Sequence, residues 1–196
     1  MEVQRKMKNN TFKEYIAPVI VLVGICLVMS AALAIVYGIT KPIIDTNTKA
    51  AADATRGTLL PEAEKQFEVY DGDLVVEQEN AVYVEECYVA NNKSGMVCTV
   101  KTKSFGGALT MMVGINSEGA VTGVAVTEHA DTPGLGTKDF EEDYLAQYKD
   151  LTELKSTSVK DDGQIDYISG ASVSGSAVHY GVYAALDQYK EMGGVQ

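Results

Sequence analysis

Val82-Tyr83-Val84-Glu85-Glu86-Cys87-Tyr88-Val89-Ala90-Asn91-Asn92-Lys93-Ser94-Gly95-Met96-Val97-Cys98-Thr99-Val100-Lys101 reads as two strands joined by a short turn. The flanks, Val82 to Ala90 and Met96 to Lys101, are rich in Val, Tyr, Cys and Thr, which suit a pleated, half-buried surface. Asn91 to Gly95 are turn formers. So short a connection joins antiparallel neighbours, because a parallel crossover needs a dozen or more residues. Cys87 and Cys98 stand roughly symmetrically about the turn. The plainer reading leaves them as two unpaired strand residues. The alternative is a cross-strand disulfide, formed outside the cytoplasm.

Working outward, the pattern continues. Ala108 to Ile115 is a short apolar run, Asn116-Ser117-Glu118-Gly119 a second hairpin turn, and Ala120 to Glu128 the return strand. Phe140, Tyr144, Tyr148 and Leu151 recur on one helical face. Asp161-Asp162-Gly163 reads as a turn and Ile165 to Ile168 as a short strand. Val178, Val182, Leu186 and Tyr189 mark a C-terminal amphipathic helix. Upstream, Asp45 opens an Ala-rich helical stalk to Leu60, which Glu62 to Phe67 continues past Pro61, and Asp71-Gly72-Asp73 is a turn. The expectation is an α+β domain, an antiparallel sheet flanked by helices.

Tyr15 to Thr40 is a run of 26 residues without a charge. As a helix it is about 39 Å long, enough to cross a bilayer. A cleaved signal peptide has a shorter apolar region of about 7–15 residues, although Ala32-Leu33-Ala34 has suitable small residues. Ile25 before Cys26 does not suit lipoprotein processing, and Cys26 reads as an apolar residue of the span. Arg5, Lys6, Lys8 and Lys13 precede the span, which places the N-terminus in the cytoplasm. The organisation read from this is a cytoplasmic N-terminus (1–14), a transmembrane helix (15–40), a stalk (41–70) and an extracytoplasmic domain (71–196). The whole chain has 16 Lys and Arg against 27 Asp and Glu. From Lys41 onward there are 12 cations and 25 acids. That balance argues against nucleic acid, which needs a basic face. Three Cys and two His exclude a disulfide scaffold and disfavour a zinc site.

Two stretches carry more Gly, Ser and Thr than packing needs. In Glu128-His129-Ala130-Asp131-Thr132-Pro133-Gly134-Leu135-Gly136, the glycines let a backbone approach a ligand closely, or simply turn at the surface. Asp166-Tyr167-Ile168-Ser169-Gly170-Ala171-Ser172-Val173-Ser174 opens the last helix. Free amides and hydroxyls at a helix N-terminus suit a phosphate; the plainer alternative is a Ser N-cap after a tight turn.

Asp166-x-x-Ser169-Gly170-Ala171-Ser172 resembles the flavinylation signature of FMN-binding domains. There FMN is joined by a phosphoester to the hydroxyl after Gly-Ala, usually that of Thr, here that of Ser172. His129-x-Asp131-Thr132-Pro133-Gly134-Leu135-Gly136 resembles the flavin-lining stretch of the same domains, with Asp131 where Glu is usual, and Ser104-Phe105-Gly106-Gly107-Ala108 resembles a third, weaker one. With a single N-terminal span, the chain is similar to the G subunits of the Rnf ion-translocating ferredoxin:NAD⁺ oxidoreductases, and also to the C subunits of the sodium-pumping NADH:quinone reductases. The resemblance implies covalent FMN on Ser172. It implies further flavin contacts from Asp166, Ser169, Gly170, Ala171, Ser174, His129, Thr132, Pro133, Gly134, Leu135, Gly136, Gly106 and Gly107. It implies electron transfer between the other membrane and peripheral subunits of such a complex, without independent turnover, and a flavin transferase that attaches the FMN. Two other classes stay open. A hydrolase would use Ser172 or Ser174 with His129 or His179, but the second Gly of a Gly-x-Ser-x-Gly elbow is missing, and His179 reads as a solvated or capping residue. An anchored binding domain without cofactor would leave Ser172 unmodified.

Overall fold

A computed structural model describes residues 15–79 and 81–195. The cations at Arg5, Lys6, Lys8 and Lys13 lie outside the described residues. The chain divides into two units, Met1–Ala50 and Ala51–Gln196. The first unit carries most of helix α1, Ala17–Leu59. Its apolar part reaches a mean hydropathy of 3.0 with no residue buried against protein, so it is long and apolar enough to cross a membrane. The helix does not stop at Pro42. Beyond the uncharged run, Lys41 pairs with Asp45 at 2.7 Å, and the Thr46 hydroxyl donates to the Pro42 carbonyl at 2.8 Å. The helix therefore runs unbroken from the uncharged run to Leu59.

In the second unit α1 ends at Leu59 and a single 3-10 turn, Pro61–Ala63, follows. The helix expected through Phe67 is absent. Glu64 and Lys65 take left-handed backbones, which break it, and Phe67 already begins strand β1, Phe67–Val69. The sheet then adds β2 (Val76–Gln78), β3 (Val82–Ala90), β4 (Gly95–Ser104), β5 (Gly107–Asn116) and β6 (Val121–Glu128). All pairs are antiparallel, in the order β1-β3-β4-β5-β6, with β2 also on β3. After it come a 3-10 turn (Gly136–Phe140), α2 (Glu142–Leu145), another 3-10 turn (Ala146–Tyr148), α3 (Val159–Asp162) and α4 (Ser172–Glu191).

One face of the sheet packs on α4. Met96, Cys98, Val100, Met111 and Val113 meet Val178, Val182, Ala185 and Leu186 in the main core. The other face carries a smaller cluster, in which Leu59, Leu60 and Ala63 cover Ala90, Val97 and Met112. β4 is thus buried on both faces, which is why its sequence lacks a clean polar alternation. Arg56 fastens the end of α1 to the sheet. It reaches Asp53 at 2.5 Å and Glu86 at 3.2 Å, and lies 3.6 Å over the Tyr88 ring centroid.

Four expectations are corrected. Cys87 and Cys98 are direct cross-strand partners with Cα atoms 4.1 Å apart, and they form a disulfide rather than standing unpaired. Residues 165–168 form no strand; the Asp166 amide donates to the Gln147 side chain at 2.9 Å rather than to a ladder carbonyl. The Phe140–Leu151 face is not one helix. The extended backbone of Glu141 interrupts it, although Tyr144 and Tyr148 are buried as the spacing implies. His179 is neither solvated nor a cap but 0% exposed. Its Nε2 donates to the Ser156 carbonyl at 2.9 Å, which leaves Nδ1 to accept from the Tyr148 hydroxyl at 3.4 Å. Burial holds its pKa below the ordinary value, so the ring is neutral at pH 7.

Candidate functional site

Three stretches far apart in sequence line one cavity of about 220 Å³. Phe105 comes from the β4–β5 turn, Asp131, Thr132, Leu135 and Gly136 from the loop after β6, and Gly170 to Ser174 from the start of α4.

Asp131 ties the three together. It is 5% exposed. Its Oδ1 accepts from the Gly106 amide at 2.7 Å and from the Ser174 hydroxyl at 3.2 Å. The approach leaves no space for side chains. A Cβ on Gly106 would lie 2.3 Å from the Ala130 carbonyl oxygen, and one on Gly136 would lie 2.8 Å from Ser174 Oγ. Gly136 therefore serves loop-to-helix packing as well as the cavity wall. Beneath Asp131 sits Asp139, 0% exposed, with neither oxygen hydrogen-bonded. Burial pushes its carboxyl up to about 6; the Gly175 amide opposes this and the Asp131 charge adds to it. Burial, then the Asp139 charge, pushes the Tyr144 hydroxyl up to about 12.

Ser172 is the first residue of α4, not its cap. The N-cap is Ala171, which offers no side-chain acceptor. The Ser172 hydroxyl is half-buried and has no hydrogen bond among the described residues. The first-turn amides of a 20-residue helix are thus left uncapped beside a free hydroxyl, an arrangement that favours an anion. Around this polar point the rim is apolar. C-terminal to α1, six large apolar side chains are exposed among the described residues, and three of them, Phe105, Leu135 and Val173, line this cavity.

Of the residues singled out from sequence, Ser172, Gly170, Ala171, Ser174, Thr132, Leu135 and Gly136 line the cavity, and Gly106 acts through Asp131. Asp166, Ser169, His129, Pro133, Gly134 and Gly107 do not line it. The Asp166 side chain is exposed. His129 packs on Phe140, with ring centroids 5.0 Å apart. Asp131 and Phe105 entered the sequence reading only as members of flavin-lining motifs, and Val173 only as part of the stretch that opens the last helix; the clamp that Asp131 makes is a tertiary fact, and Asp139 had no signal.

Residues 104–187, which contain every cavity-lining residue, match the FMN-binding domain family. Over most of its length the chain is similar to the G subunit of the ion-translocating oxidoreductase complex of Methanosarcina acetivorans, with 29% identity covering 89% of this chain and 94% of that protein. It is also similar to the G subunit of the proton-translocating ferredoxin:NAD(+) oxidoreductase complex of Clostridium ljungdahlii, with 27% identity over 83% of this chain and 85% of that one. Among solved structures, NqrC of Shewanella oneidensis aligns with a TM-score of 0.44 and 17% identity, covering 64% of this chain and 66% of that one.

Proposed function

We propose that this chain, which carries an FMN-binding domain and is related over most of its length to the G subunits of ion-translocating oxidoreductase complexes, is the membrane-anchored electron-transfer subunit of such a complex, with FMN joined through its phosphate to the Ser172 hydroxyl. The observation that carries the reading is the free Ser172 hydroxyl, set at an uncapped helix start where three separated stretches converge.

The residues present fit the group. The uncapped first turn of α4 suits a phosphodiester, and Phe105, Leu135 and Val173 offer apolar surface to a planar ring. Pockets that engulf a ligand measure about 300–1,000 Å³. A cavity of about 220 Å³ takes only part of a flavin. Weak enclosure gives the ester bond its purpose, since a tether fixes the effective concentration without a deep pocket. When bound, FMN supplies the electron transfer. The chain supplies the attachment oxygen, the apolar rim and the Asp131 clamp that holds the rim's parts in register.

The Cys87–Cys98 disulfide supports an extracytoplasmic domain, because such bonds persist in oxidising compartments. With the cations ahead of α1, this favours an N-terminus in the cytoplasm. The partners are then the other subunits of the complex and a flavin transferase.

The test is the intact mass of the denatured chain from its native host, with peptide mapping. A gain equal to FMN minus water, on the peptide holding Ser172, is expected. An unmodified chain from a host that flavinylates other proteins of this family would overturn the reading.

A further inference from the structure

Ser172 and Val173 line a second hollow, of about 610 Å³, as well as the apolar cavity. Its character is different. Lys103 from β4 and Lys160 from α3 both line it. Ser172 and Ser176, four residues apart on one face of α4, bring hydroxyls to the same space, and Tyr180 one turn further on also lines it. Thr102 also lines it, 4% exposed and with its hydroxyl unpartnered.

The charge pattern is informative. From Lys41 on, acids outnumber cations by 25 to 12, so an exposed lysine is easily neutralised. Lys101, two residues from Lys103, is neutralised by Glu85 at 2.6 Å. Among the described residues, however, neither Lys103 nor Lys160 forms an ion pair. The Lys160 ammonium lies 5.7 Å from the Tyr167 ring centroid. Among the described residues no carboxylate lines the hollow. Glu77 comes near it but engages the Tyr180 hydroxyl. Two unpaired ammoniums, an uncapped helix start and an unused buried hydroxyl converge on one space, and each favours the same ligand chemistry, a phosphate.

We propose that this hollow is a phosphate-binding site in which Lys103 and Lys160 are the cationic ligands, and that its occupant is the phosphate ester borne on Ser172. The choice of the ester rests on the function proposed above; the site itself does not. The division of labour follows from which residues line which space. The apolar cavity takes ring surface, the basic hollow takes charge, and Ser172 stands on the wall they share.

The experiment has two arms on the full chain in detergent. In the first, chain isolated without flavin is titrated with inorganic phosphate against chloride at matched ionic strength. The readout is the amide shifts of Lys103, Ser172 and Ser176. Saturable shifts are expected, and the double substitution Lys103→Gln with Lys160→Gln weakens apparent affinity by about tenfold or more. Lys93→Gln, in the β3–β4 turn, leaves affinity unchanged. Both target lysines are exposed and unpaired, so the double variant keeps its melting temperature in chloride. In the second arm, ³¹P spectra of flavin-loaded chain are compared, and the same pair of substitutions moves the phosphodiester resonance. Phosphate shifts that are absent, or indifferent to the two lysines, overturn the site. Lysine-dependent phosphate binding with an unmoved ³¹P resonance overturns the ester as occupant and assigns the site to a free phosphate compound. If no chain carries flavin while the first arm succeeds, the proposed function fails and the phosphate site stands.

Discussion

Asp139 has the least comfortable environment of any carboxyl near the site. Both its oxygens are buried without partners, and its folded pKa of about 6 lies above the ordinary 3.8. The folded state therefore holds more protons than the unfolded one between those values, and unfolding free energy falls as pH rises through that window. Above pH 6 the charged form costs the fold on the order of 3 kcal/mol. Asp139→Asn should flatten the fall in melting temperature between pH 4 and pH 6.5; an unchanged slope would show that another group carries it. Asp162 behaves in the opposite way. Burial raises its carboxyl, but hydrogen bonds from Gln164, Ser156 and Lys155 outweigh that and hold it below the ordinary value. Its role was hidden in sequence, where Asp161-Asp162-Gly163 looks like any surface turn. Ser172 stood out in sequence through the resemblance of Asp166 to Ser172 to the flavinylation signature, since the residues alone read as well as a Ser N-cap after a tight turn. Ser172→Ala removes one half-buried hydroxyl with no partner. It should abolish covalent flavin while leaving the melting temperature within about 1–2 °C. Covalent FMN retained in that variant, seen by intact mass, would move the attachment point elsewhere.

At the scale of elements, β3 to β6 were readable to within about three residues at each end, because alternating patterns and Asn/Gly turns agree about where strands stop. β1 and β2 were not readable. Each has three residues and exists by adding to the edge of β3, a tertiary fact without a local signal. The error at residues 165–168 is the converse, a strand-like pattern that joins no ladder. The β3–β4 hairpin carries the disulfide across a sequence separation of 11. Closing so short a loop is worth about 3 kcal/mol by chain entropy. Replacing both cysteines by Ala should lower the denaturant midpoint accordingly, and a midpoint shift under 1 kcal/mol in energy would mean that core packing alone sets the hairpin. The docking of the α1 end rests on Arg56, whose guanidinium is almost wholly buried between Asp53, Glu86 and the Tyr88 ring. Arg56→Ala should cost about 2 kcal/mol through lost stacking on Tyr88 and lost pairing to Asp53 and Glu86, measured by urea unfolding. Arg56→Lys should recover only part, because an ammonium cannot both stack and reach two acids.

Across the whole molecule, the division into an apolar helix and an acidic α+β body was plain from charge and hydropathy, since a run of 26 uncharged residues has few other uses. The continuity of α1 through Pro42 was not, because a proline at that place reads equally well as an end. On the proposed orientation, with the body outside the cytoplasm, a membrane-impermeant amine reagent added to intact cells should label Lys93 and Lys103, and should reach Lys6 and Lys8 only after permeabilisation. Labelling of Lys93 solely in inverted vesicles would reverse the orientation. No residue lining the 220 Å³ cavity belongs to the main core. The main core is therefore complete without a pigment, and on the proposed reading a chain never loaded should fold as well as one that was. Quality control that inspects stability would then not tell them apart, and colourless subunits would enter assemblies alongside yellow ones. The working fraction of a preparation then has to be counted as flavin per polypeptide, and a half-active sample is a census of attachment rather than a sign of damage.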